Sequence, residues 1–124
     1  MAERSNLETF ANPHADRDYL IEHHVHEFTS LCPRTGQPDF ATILVRYAPD
    51  QRCVELRSLK LYLQGFRQEG IFYEDVTNVI LSDLVAACAP KGIMVQTTWS
   101  TRGGIRSVIT AQQGNIPPSV VPPA

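Results

Sequence analysis

A chain of 124 residues is long enough for one domain with a sizeable core and too short for two. Hydrophobic residues make up 43% and charged residues 19%, and a formal charge of −2 with no Lys/Arg-rich run gives no nucleic-acid surface. No apolar run reaches membrane-spanning length, and Met1–Asn6 lacks a signal-peptide core, so a cytoplasmic protein with neither membrane nor direct nucleic-acid partners is expected.

Residues 1–18 are polar, contain Asn12-Pro13-His14 and read as a flexible arm. A single domain is expected over 19–113. Tyr19 to Ser30 looks like a first strand, and Phe40 to Tyr47 is β-branched and aromatic enough for a second. Ala48-Pro49-Asp50-Gln51 reads as a turn, with Arg52 to Leu56 returning as the partner strand. Ser58 looks like a helix N-cap, and Leu59, Tyr62, Leu63 and Phe66 then form one apolar helical face that ends at Gly70. A second helix begins near Tyr73 or Glu74, turns Val76, Val79, Ile80, Leu84 and Ala87 inward, and closes at Pro90. Ile93 to Trp99 and Ile105 to Ala111 form a second strand pair across Thr101-Arg102-Gly103-Gly104. The tail, 114–124, is proline-rich and reads as disordered. This order predicts an α+β fold: an antiparallel sheet with two helices on one face. The uncovered face points to oligomerisation.

Three widely spaced cysteines, Cys32, Cys53 and Cys88, fit reduced thiols better than a disulfide framework. Cys53 and Cys88 lie in apolar segments and read as core. Cys32 differs, because it lies in the turn-forming run Cys32-Pro33-Arg34-Thr35-Gly36-Gln37-Pro38, with Asp39 seven positions on. A thiol and a carboxyl group on a rigid loop suit covalent catalysis, as nucleophile and proton donor; the alternative is an inert loop cysteine. Glu55-Leu56-Arg57-Ser58-Leu59-Lys60-Leu61-Tyr62 sets charged residues at a helix start, where Arg57 and Lys60 suit a phosphate or simply a solvated helix end. Glu74 reads either as a first-turn carboxylate or as an acceptor for the amidine-like edge of a guanine. His24 and His26 share a strand face without a third ligand, and no CxxC or HxxxH pair is present, so no metal site is expected.

Taken together, the motifs resemble a known family. Glu27 to Thr42 resembles the active-site segment of the NADPH-dependent 7-cyano-7-deazaguanine reductases, the nitrile reductases of queuosine biosynthesis. Glu55 to Tyr62 looks like that family's signature motif, and Phe72 to Asn78 and Arg102 to Ile105 match in order and spacing, so the resemblance spans Tyr19 to Ala111. It implies that Cys32 attacks the nitrile of 7-cyano-7-deazaguanine to give a covalent thioimide, with Asp39 as proton donor. NADPH would deliver two hydrides, yielding the aminomethyl product. Glu74 would anchor the guanine-like edge beside Tyr73, and Val54, Glu55 and Leu56 would complete the base pocket. Arg57, Ser58, Lys60 and Tyr62 would contact NADPH. Arg57 stands where lysine is common, and Tyr73 where many members have histidine.

The resemblance further implies the tunnelling fold, in which subunits join their sheets into a barrel, and for this short form a decamer of two pentameric rings. Three other readings stay open: an amidine-forming relative that adds ammonia to the same nitrile, a zinc-dependent pterin-type cyclohydrolase, and a non-catalytic purine-binding ring.

Overall fold

The computed structural model describes residues 2–123. Its strands are β1 (Thr9–Ala11), β2 (Ile21–Leu31), β3 (Pro38–Ala48), β4 (Arg52–Val54), β5 (Gly92–Trp99) and β6 (Val108–Gly114), and its helices are α1 (Leu56–Gln64) and α2 (Tyr73–Cys88). An antiparallel sheet runs β2-β3-β5-β6, and a separate ribbon pairs β1 with β4.

Alternation along β3 shows why the fold has one core. Asp39, Ala41, Ile43, Val45 and Tyr47 are buried, whereas Phe40 and Thr42 face outward. The inward residues meet Leu59, Tyr62, Leu63 and Phe66 of the first helical segment and Val76, Ile80 and Leu84 of α2. The periods of two and of 3.6 thus converge on one apolar layer. Phe28 packs edge-on against Trp99 at 6.1 Å and tilted against Phe66 at 5.8 Å, closing the end of the core nearest Cys32.

Several expectations change. The stretch 1–18, expected to be a flexible arm, carries β1, which pairs with β4 from Thr9↔Val54 to Ala11↔Arg52. Arg52–Val54 therefore does not return against Phe40–Tyr47. The neighbours of β3 are β2 and β5, because a short turn after a long, centrally placed strand leaves no free edge. Ser58 is not the N-cap of α1. That position belongs to Glu55, whose carboxylate accepts from the backbone N–H groups of Arg57 at 2.7 Å and Ser58 at 2.8 Å. The helix also ends at Gln64, with Gly65 as C-cap, rather than at Gly70. In the tail, Pro118–Val120 form a single 3-10 turn.

Two links bring the site together. The segment after α1 runs beside the end of β2, where Leu31 N–H donates to the Glu69 carbonyl at 2.9 Å and Ile71 N–H donates to the Leu31 carbonyl at 3.0 Å. This ladder sets Tyr73, the first residue of α2, next to the Cys32 loop. At the other end of that loop, Ser100 N–H donates to the Phe40 carbonyl at 2.9 Å and fixes the β5–β6 turn nearby.

Candidate active site

The Cys32 loop is closed by its own backbone. Cys32 N–H donates to the Gln37 carbonyl and Gly36 N–H to the Cys32 carbonyl, both at 2.8 Å. Gly36 sits at φ +73°, the left-handed region that favours glycine in so tight a turn. Thr35 Oγ1 accepts from Gln37 N–H at 3.2 Å. The Thr35 hydroxyl, followed by the N–H groups of Arg34 and Thr35, holds the Cys32 thiol below its ordinary value, against smaller opposing effects of burial and the nearby Asp39 charge. Hydrogen bonds favour the charged form, so the loop makes the Cys32 thiol easier to deprotonate.

Cys32 shares a cavity of about 390 Å³ with Asp39, Tyr73, Glu74 and Arg102, as well as Thr35 and Phe72. Asp39 starts the inward face of β3 and is 6% exposed. Its carboxylate Oδ1 accepts from the Tyr73 hydroxyl at 3.3 Å and lies 3.6 Å from Arg102 Nη2. The Arg102 guanidinium also donates to the Pro38 carbonyl. Burial, the Asp39 charge and the hydrogen bond to Asp39 together push the Tyr73 phenol up, so it stays protonated and donates. Glu74 follows in the first turn of α2, exposed at the cavity's edge.

The wall behind Tyr73 is built from the sheet. Its ring stacks on Trp99 with centroids 3.9 Å apart and planes 6° from parallel. Trp99 Nε1–H donates to Thr97 Oγ1 at 2.8 Å, Thr97 Oγ1 lies 2.7 Å from Thr77 Oγ1, and the Thr77 hydroxyl donates to the Tyr73 carbonyl at 2.8 Å. Thr77 has a single proton, already used on Tyr73, so Thr97 must donate to Thr77. The chain therefore runs one way, from Trp99 through both threonines to Tyr73, and ties ring and backbone to β5.

The remaining expected residues lie elsewhere in the subunit. Val54 is buried in the core, and its N–H donates to the Tyr47 phenol oxygen at 3.0 Å. Glu55 caps α1. Leu56 is 60% exposed and, with Lys60, lines a different cavity of about 510 Å³ between α1 and Glu22–Thr29 of β2. Arg57 and Lys60 are exposed and fit the charge of a phosphate-bearing cofactor. Ser58 and Tyr62 do not fit such a contact in this subunit, because both are built into the core. Ser58 Oγ accepts from Glu8 N–H at 2.9 Å and donates to the Glu55 carbonyl at 2.8 Å, fastening the strand of the arm to α1. Tyr62 is 0% exposed and donates to Asp83. The first N–H groups of α1 are taken by Glu55, so an anion there would rely on side chains rather than on the helix terminus. Among the described residues, no three His, Cys, Asp or Glu side chains converge as metal ligands.

The sequence places Arg102 in a hairpin turn and Trp99 at the end of a strand. Both are part of the site's frame. A cation in the turn that leaves the strand paired with Asp39's strand was the available signal.

A thiol primed by its own loop, beside a buried carboxyl and a stacked aromatic wall, is the equipment of cysteine-based covalent catalysis on an α+β scaffold. A family profile described as QueF-like protein matches residues 38–118. The NADPH-dependent 7-cyano-7-deazaguanine reductase of Rhodopirellula baltica is 58% identical over 106 residues, covering 86% of this chain and 88% of that one. The enzyme of the same name from Anaeromyxobacter sp. (strain Fw109-5) is 56% identical over 115 residues, covering 93% and 94%. Among solved structures, the archaeosine synthase QueF-Like in the apo form matches with a TM-score of 0.73 over 79% of this chain and 96% of that chain, at 22% identity, a likeness of fold alone. This chain belongs to the family of the NADPH-dependent 7-cyano-7-deazaguanine reductases and QueF-like proteins.

Proposed function

We propose that this chain reduces the nitrile of 7-cyano-7-deazaguanine to the aminomethyl group of 7-aminomethyl-7-deazaguanine with NADPH, in queuosine biosynthesis. The observation that carries the reading is the single cavity lined by Cys32, Asp39 and Glu74. Cys32 is the nucleophile: its sulfur bonds to the nitrile carbon, one C≡N π bond opens, and the electron pair goes to nitrogen. Asp39 takes the thiol proton and hands it to that nitrogen, so the thioimide forms without a net change in protons. Glu74 accepts from the N–H groups of the guanine-like edge, and Tyr73 lies beside it. NADPH, bound twice in succession, would supply one hydride on each occasion; after the first the C–S bond breaks and returns the sulfur to Cys32, and two protons balance the two hydrides in the amine product.

Arg57 and Lys60 are the side chains of this chain that suit the cofactor's phosphates. Lys60 and Leu56 line a cavity separate from that of Cys32. A site completed between neighbouring subunits resolves that separation. This supports the tunnelling-fold assembly, in which β2 and β6, the two outer strands of the sheet, pair with copies of this chain. A decamer of two pentameric rings, working in the cytoplasm, is the assembly we infer.

The test is NADPH oxidation by the purified chain with 7-cyano-7-deazaguanine, beside Cys32→Ala. Consumption of about two NADPH per substrate, lost in the variant, supports nitrile reduction through Cys32. An amidine formed from ammonia with no NADPH consumed would give the reaction to the amidine-forming reading instead.

A further inference from the structure

We propose that Tyr73 is a positioning residue for Asp39: its hydroxyl, with Arg102, occupies carboxylate Oδ1 and thereby keeps Oδ2 as the oxygen that carries the proton between Cys32 and the nitrile nitrogen. The inference rests on the reaction proposed above and goes beyond a substrate contact for residue 73.

Both contacts to the carboxylate fall on the same oxygen, with Tyr73 Oη at 3.3 Å and Arg102 Nη2 at 3.6 Å. Among the described residues, Oδ2 takes no hydrogen bond. The rest of the residue is also pinned: Thr29 Oγ1 donates to the Asp39 carbonyl at 2.8 Å, and the backbone pairs with Ser30 across β2. Tyr73 cannot drift, because its ring lies flat on Trp99 and its carbonyl ends the Trp99–Thr97–Thr77 chain. The charged and titratable groups around the carboxylate are Cys32 from the loop, Tyr73 and Glu74 from α2, and Arg102 from the β5–β6 turn. One hydrogen bond and one ion pair on the same oxygen draw charge there and fix which lone pairs face the reacting thiol. In the addition step the S–H bond breaks, Oδ2 gains the proton, the S–C bond forms, and Oδ2 releases the proton to the nitrogen.

Tyr73→Phe tests this, since it keeps the stack and removes one donor. The expected result is a kcat about tenfold lower with little change in substrate KM. Thermal unfolding of the variant should match the parent. A higher KM with unchanged kcat would make Tyr73 a plain substrate contact and overturn the proposal. An unchanged variant overturns it too, while a parent that consumes NADPH leaves the reaction standing. A parent inert towards nitrile and NADPH would overturn the reaction, and the positioning role with it.

Discussion

Replacing Thr97 by valine keeps shape and burial while removing one hydroxyl from the relay behind Tyr73. In the native chain Thr97 Oγ1 accepts from Trp99 Nε1–H and donates to Thr77. Both threonines are 0% exposed, so no water replaces the lost partner. The variant leaves the indole N–H unsatisfied, which costs about 1–3 kcal/mol, while the added methyl recovers a fraction of that. We expect a net loss of about 2 kcal/mol, or about 6–10 °C in Tm for a domain of this size. Thr77→Val should cost less, about 1 kcal/mol, because the Tyr73 carbonyl keeps its place as a helix acceptor and the indole keeps Thr97. The double variant should cost about as much as Thr97→Val alone, since the groups are coupled. Thermal unfolding at matched protein concentration, followed by the fluorescence of Trp99, the chain's single tryptophan, measures all three. Strict additivity, or a larger loss in Thr77→Val than in Thr97→Val, would refute the one-way relay.

Cys32 should react with iodoacetamide at lower pH than a free thiol, and Thr35→Val should move that inflection back up, because the Thr35 hydroxyl is the largest influence lowering it. Glu22, held below its ordinary 4.5 chiefly by its hydrogen bond to Arg46, adds stability above that pH and loses it as pH falls through the lowered value. Glu22→Gln should therefore be less stable than the parent at neutral pH, with the gap closing below pH 4.5 in an acid titration followed by circular dichroism. Tyr62→Phe removes a donor to Asp83 and should cost about 2 kcal/mol in a denaturant titration. Because Tyr62 is enclosed in the core, the same variant should leave the KM for NADPH unchanged.

Periodicity carried much of the fold. Leu59, Tyr62, Leu63 and Phe66 mark one buried face in sequence and in space, and the alternation from Phe40 to Tyr47 marks the central strand. The pairing of β1 with β4 was hidden because Thr9–Ala11 is only three residues long and polar-flanked. Its register depends on contacts such as Glu55 N–H to the Glu8 carbonyl, which join residues far apart in the chain. Capping was misplaced for a related reason. Serine is the commoner N-cap, yet here Glu55 reaches the N–H groups and Ser58 turns back to the arm. At the candidate site, loop chemistry and close spacing single out Cys32 and Asp39 in the sequence, and both line one cavity. Arg102 is not singled out, since only the sheet brings residues 39 and 102 within 3.6 Å of each other.

The most direct test of the account is the intact mass of the protein after incubation with 7-cyano-7-deazaguanine in the absence of NADPH. The account predicts a gain of one substrate mass per chain, absent in Cys32→Ala and discharged when NADPH is added. No mass gain, or an equal gain in Cys32→Ala, would contradict capture of the nitrile by Cys32.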